Sequence, residues 1–189
     1  MARKGLNKAI SGQSQLFESK RLLSDKDYNL GRTCIFISHK KEDAEKAREI
    51  VDYIMDCGVD VYYDENDAIL SNPDNIKDPV KITNAINTAL SKSTHMICVI
   101  SDKTKESWWV PYEIGYDSNK IGFRSSNIGI LIIKSISQLP EYLFLATKIE
   151  TSIELDKFVK DSSNTETLLL EKTKTFNEIL NHPLNGILK

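Results

Sequence analysis

The chain has 189 residues, enough for one domain with modest extensions, and its 40% hydrophobic and 28% charged residues are ordinary for a soluble globular fold. Its 25 basic and 27 acidic residues nearly cancel, to a formal charge of -2, which removes the electrostatic case for binding nucleic acid or an anionic membrane. No apolar run approaches a membrane span, and no continuous apolar segment follows the basic start Met1-Ala2-Arg3-Lys4, so a cytoplasmic protein without a secretory leader is expected.

Residues 1–30 read as a helical extension, with Leu6, Ala9, Ile10, Gln13, Leu16 and Phe17 at helical spacing over 5–23. It either packs on the domain body or serves self-association. Thr33-Cys34-Ile35-Phe36-Ile37-Ser38 is a short apolar run rich in β-formers, as in a parallel strand buried on both faces. The polar turn His39-Lys40-Lys41-Glu42-Asp43 follows, with Asp43 read as a helix cap. A helix then carries Ala44, Ala47, Ile50, Val51, Ile54 and Met55 and stops at Cys57-Gly58.

Val59–Tyr63 is a second strand, ending in the acidic cluster Asp64-Glu65-Asn66-Asp67. Residues 68–79 form a long loop, a common place for function in α/β domains. A helix over about 79–90 begins at Pro79 and buries Ile82, Ala85, Ile86, Ala89 and Leu90. His95–Ser101 is a third strand and Ile128–Ile133 a fourth, with a short fifth element near Tyr142–Ala146. Helices are expected to begin at Ile153 and to run over about Glu166–Leu180. Cys34 and Cys98 fall in strand-like runs and Cys57 is far from both, so buried thiols are expected. No CxxC or His pair has metal spacing, and no metal site is predicted. His95 and His182 read as structural.

Between the third and fourth strands lies Ser107-Trp108-Trp109-Val110-Pro111-Tyr112-Glu113. Trp109 and Glu113 are one helical turn apart on the same face, with Ser107 as N-cap and Pro111 in the first turn. Two readings are open here. In one, Trp fills the core and Glu is solvated. In the other, the pair belongs to a site.

The alternation of strands and helices calls for a flavodoxin-like five-stranded parallel sheet, order 2-1-3-4-5, with helices on both faces and further helices at the termini. Ligands of such folds bind outside the carboxyl ends of the strands at the switch point, between strands one and three. Ser38-His39-Lys40 and Ser101-Asp102 are delivered there, and Glu113 follows closely. Domain boundaries are expected at 1–30, 31–160 and 161–189.

Phe36-Ile37-Ser38-His39 with Asp43, Val61-Tyr62-Tyr63-Asp64, Val99-Ile100-Ser101 and Ser107-x-Trp109-Val110-x-x-Glu113 together resemble the boxes of the TIR (Toll/interleukin-1 receptor) domain family, over about residues 32–160. The chain is similar to stand-alone bacterial TIR proteins, including those of Thoeris antiphage systems. The resemblance implies cleavage of NAD⁺ at the nicotinamide–ribose bond, yielding ADP-ribose or a cyclic isomer that a downstream effector senses. It implies Glu113 as the catalytic residue and Trp109 as a stacking surface. It also implies homo-oligomers through TIR–TIR contacts, with the loop from Asp64 to Lys77 gating the site. Many members carry Gly-centred motifs in that loop, where this chain has Ser71-Asn72-Pro73-Asp74.

The chemistry suits a single carboxylate. Nicotinamide in NAD⁺ is already cationic and leaves neutral, so the general acid of ordinary glycosidases is unnecessary. A fixed carboxylate beside the ribose stabilises the developing positive charge, an effect of roughly 10²–10³ in rate. Phe36 and Trp109 would shield that charge. With no G-x-G-x-x-G and no Walker loop, NAD⁺ is expected as substrate rather than cofactor, held by Ser38, His39, Lys40 and loop backbone groups, with His39 open equally to the reading of a solvated turn residue. Asp64 and Asp67 either orient the ribose or cap the loop. The alternative function is a non-catalytic adaptor that signals through TIR–TIR assembly. A phosphoacceptor receiver would need acidic residues after strand one, where Ser38-His39-Lys40 stands.

Overall fold

The computed structural model describes residues 4–9, 32–67, 69–71, 76, 78–107, 109–121, 127–133, 136, 139–163 and 181–188. Five parallel strands form one sheet in the order β2-β1-β3-β4-β5: β1 is Cys34–Ser38, β2 Asp60–Tyr63, β3 His95–Ile100, β4 Ile128–Ile132 and β5 Thr147–Ile149. Among the described residues four α-helices cover it: α1 Ala44–Asp56, α2 Pro79–Ser91, α3 Trp109–Ile121 and α4 Ser152–Ser162. The expected fold class and strand order are those observed.

Strand alternation divides the core in two. Ile35, Ile37, Ile97, Val99 and Leu131 face α1 and α4, meeting Ile50, Ile54, Leu155 and Phe158. Phe36, Met96, Cys98, Ile100 and Ile130 face α2 and α3, meeting Ile82, Ile86, Val110 and Ile114. Both faces of β1, β3 and β4 are therefore covered, which explains runs without polar alternation. The helix ends obey local chemistry. Gly58, at φ 83°, takes the left-handed position after α1, and its N–H donates to the Met55 carbonyl. Asp78 caps α2, accepting from the Val80 and Lys81 N–H groups, with Pro79 in the first turn. Thr151 and Glu154 form a capping box on α4.

Two elements differ from expectation. Residues Glu141–Leu145 make a 3₁₀ turn, and the fifth strand follows Ala146, at Thr147–Ile149. A helix beginning at residue 5 is contradicted, because Gly5–Ala9 runs beside β2. Asn7 bridges Val61 in parallel, Val61 N–H donates to the Leu6 carbonyl and Lys8 N–H to the Val61 carbonyl. Competition from an open strand edge outweighs the helical spacing: β2 would otherwise show unpaired backbone groups, and its four residues are instead all buried. Residues 10–23 of that expected helix, and the one at 166–180, lie outside the described residues. Residues 181–188 are part of the body, with Leu184, Ile187 and Leu188 in the α1/α4 core. His182 is structural, as expected, its ring 4.5 Å from Tyr53 and its Nδ1 accepting from Leu184 N–H.

Gly5 makes the edge contact possible, since a Cβ there would sit 1.9 Å from the Val59 carbonyl oxygen. Gly5→Ala is expected to push residues 4–9 off β2 at a cost of about 1–3 kcal/mol. Hydrogen exchange checks this: the Val61 and Tyr63 amides, bonded to Leu6 and to Asn7 Oδ1, should lose protection while β3 amides keep theirs.

Candidate active site

A cavity of about 690 Å³ lies over the carboxyl ends of β1 and β2, with α2 and α3 as its far wall. Strand β1 delivers Phe36 and Ser38, the following turn His39 and Lys40, and the turn after β2 Asp64. Helix α3 delivers Trp109 and Glu113. The fold thus brings together Glu113 and six of the seven expected binding residues. Asp67 is the exception. Its carboxylate accepts from Tyr62 Oη–H at 2.6 Å and from the Ile69 and Leu70 N–H groups, so it folds the loop and is absent from the cavity lining.

The Trp/Glu helix sits with its polarity reversed relative to a simple amphipathic packing. Trp109 is 37% exposed at the cavity lip, edge-on to Tyr112, while Glu113 is 6% exposed inside. The reading with a core Trp and a solvated Glu is thereby excluded. Val110 and Ile114, on the adjoining strip of the helix, supply the core contacts. Ser107 Oγ accepts from Val110 N–H at 3.4 Å, consistent with its expected capping place. Trp108 lies outside the described residues.

Ser38 Oγ–H donates to Glu113 Oε2 in a short hydrogen bond. Burial pushes the Glu113 carboxyl up to about 7, against the lowering effect of the Ser38 bond. The hydroxyl expected to hold substrate is therefore engaged with the carboxylate. A second serine mirrors it. Ser101, after β3, donates to Asp43 Oδ2, so Asp43 ties two turns together; it makes no side-chain cap on α1, which corrects the capping role read from its position.

Next to Glu113 stand two more titratable groups. His39 Nδ1 is 3.4 Å from Asp64 Oδ1, and its ring packs 5.1 Å from Tyr63. Burial lowers His39, with Glu65 opposing. Burial also raises Asp64 well above the usual carboxylate range, and the neighbouring Glu113 charge adds to it. At the rim, Lys40 Nζ lies 3.8 Å from Glu42, and Arg48 donates to Glu65 at 2.5 Å. Leu70, Ile82 and Ile86 complete an apolar wall. The last two were legible only as the buried stripe of α2. Their spacing gives no sign that the stripe runs past the sheet into a cavity.

A family model described as TIR domain matches residues 35–168. Among solved structures, the chain is similar to a metazoan TIR-STING receptor from C. gigas in complex with 2',3'-cGAMP, at a TM-score of 0.52 and 20% identity. That likeness covers 68% of this chain and 39% of the receptor chain, and at this identity it bears on the fold alone. No curated protein matches the chain. With four sequence boxes, the 2-1-3-4-5 sheet and a family match over most of its length, this chain belongs to the TIR domain family.

Proposed function

We propose that the protein cleaves the nicotinamide–ribose bond of NAD⁺, with Glu113 stabilising the ribosyl cation. The observation that carries this reading is the carboxyl itself, buried at the wall of a cavity and bonded there by a neutral hydroxyl. A solvated ion pair would have its charge spent. This carboxylate keeps its charge for a cation that arrives with the substrate. Trp109 at the lip and Phe36 below offer surfaces for a flat ring, and Lys40 at the rim provides positive charge for the diphosphate. Released ADP-ribose, or a cyclic isomer of it, would act as a signal in a Thoeris-like antiphage response, in a protein that self-associates through its TIR domain.

Incubation with NAD⁺ and chromatography of the products test the proposal. Nicotinamide release is expected, and Glu113→Gln should lower it roughly 10²–10³-fold. Absence of release by the native protein would favour the assembly-only adaptor.

The ionised carboxylate is the active form, so kcat/KM should fall about tenfold per pH unit below about 7 and level off above it. Ser38→Ala removes the bond that favours ionisation, and its midpoint should move to higher pH. A pH–rate series on both proteins checks the shift.

Stability should show the opposite sign. An acid whose folded pKa lies above its unfolded one destabilises the fold as pH rises through the interval, here from 4.5 to about 7. Glu113→Gln should therefore gain up to about 3 kcal/mol at pH 8 and little at pH 4, as read by denaturant melts at the two values.

A further inference from the structure

Two buried atoms at the cavity wall are left facing each other. His39 Nδ1 and Asp64 Oδ1 are both shielded from solvent, neither has a hydrogen-bond partner, and they lie 3.4 Å apart. Such atoms are costly to bury alone, and they are rare outside functional sites. The Ile37 backbone favours the protonated ring, and Nδ1 has no partner through which to meet it. A neutral His39 thus carries its proton on Nε2 and turns a lone pair toward Asp64. A proton on the line between Nδ1 and Oδ1 would satisfy both atoms at once. The Asp64 side chain retains 24% exposure although Oδ1 is shielded, and it lines the cavity together with Glu113.

We propose that Asp64 and His39 form a proton relay that serves the second half of the reaction, the capture of the ribosyl centre by an oxygen nucleophile. This deepens the NAD⁺-cleavage reading and rests on it. In the first half the bond from C1′ to the pyridine nitrogen breaks, its electron pair leaves with nicotinamide, and no proton moves. In the second half, water or a ribose hydroxyl forms a C1′–O bond and must lose its proton. That proton passes to Oδ2 of Asp64 while the proton on Oδ1 moves to His39 Nδ1. The products are the captured ribosyl group, a neutral Asp64 and an imidazolium, which returns its proton to water. Tyr63 fixes the ring plane, and Glu65 and Asp43, whose charges favour protonated His39, stabilise the imidazolium. Burial holds Asp64 protonated and His39 neutral beforehand, the state from which the relay starts. Glu113 is ionised above about pH 7, a form the Ser38 bond favours, and its charge then stands opposite the cation.

Nicotinamide exchange separates this from a binding or structural role. When labelled nicotinamide recaptures the ribosyl centre it regenerates NAD⁺, and its ring nitrogen brings no proton. In Asp64→Asn the shape is retained but the relay is cut. Net product formation should fall about 10²-fold, while exchange of label into NAD⁺ falls less than about threefold or rises. His39→Gln should do the same, with melting curves confirming that both variants fold. A parallel fall of product and exchange, or no fall in either, would overturn the relay. Nitrogen NMR of labelled histidine gives a readout that needs no turnover: His39 should show a protonated Nε2 and a hydrogen-bonded Nδ1, with Nδ1 shifting in Asp64→Asn. A neutral ring protonated on Nδ1 would refute the shared proton. Native protein that releases no nicotinamide would sink the NAD⁺ reading and the relay's catalytic role with it, and the NMR result would then decide the shared proton alone.

Discussion

Two serine–carboxylate bonds cross at the ends of neighbouring strands, and the geometry of the site depends on them. Ser38 ends β1 and donates to Glu113, which belongs to the connection after β3. Ser101 follows β3 and donates to Asp43, which belongs to the connection after β1. Parallel pairing of β1 and β3, with Ser38 level with Cys98, sets both serines at the same edge of the sheet. Each acid is almost fully buried, at 6% exposure for Glu113 and 5% for Asp43. A buried carboxylate that loses its donor bears its full desolvation cost, so neither connection can drift without a penalty of about 1–3 kcal/mol or more. The crossing fastens the β1–α1 turn, with His39 and Lys40, to the start of α3, with Trp109.

The surrounding sheet supplies the stability that this arrangement consumes. Glu113 and Asp64 are held in a common cavity with both carboxyl groups displaced upward, which works against folding at neutral pH. Offsetting that are two apolar layers, capped helices and an edge strand covered by Gly5–Ala9. Local sequence and global fold agree almost everywhere in these layers. At the cavity the two diverge, with acids buried and an aromatic residue exposed, as functional demands tend to require.

Much of this was legible in the residues, for a physical reason. Strands buried on both faces cannot alternate, and runs such as Met96–Ile100 therefore announce a central parallel strand. The helix stop at Gly58 and the start at Pro79 follow from backbone sterics that act locally. The spacing of Trp109 and Glu113 placed them on one helix face, yet it could not say which of the two would be inside. That depends on Ser38, seventy-five positions away, supplying a donor. Asp67 and Asp43 show the same limit. As short acids at turn starts they look alike, and only the positions of Tyr62 and Ser101 decide that one folds a loop and the other joins two turns. Helical spacing over residues 5–9 misled because an open sheet edge, a long-range feature, competes for the same backbone groups.

The choice of partner for Glu113 has a chemical meaning of its own. An Arg or Lys would have lowered its pKa more strongly and stabilised the fold, since a full charge outweighs a hydroxyl dipole in a low-dielectric interior. It would also have neutralised the carboxylate before any substrate arrived. Serine satisfies one lone pair and leaves the net charge in place, at the cost of an acid displaced to about 7. Around that charge the cavity keeps its basic groups at a distance or engaged: Lys40 lies at the rim beside Glu42, and Arg48 is paired with Glu65. A site so arranged is best satisfied when a cation enters it. In NAD⁺ cleavage the positive charge begins on the pyridinium ring and passes to the ribose as the bond stretches. A fixed negative charge set beside the ribose is favoured more by the second distribution than by the first, and that difference is what accelerates a reaction.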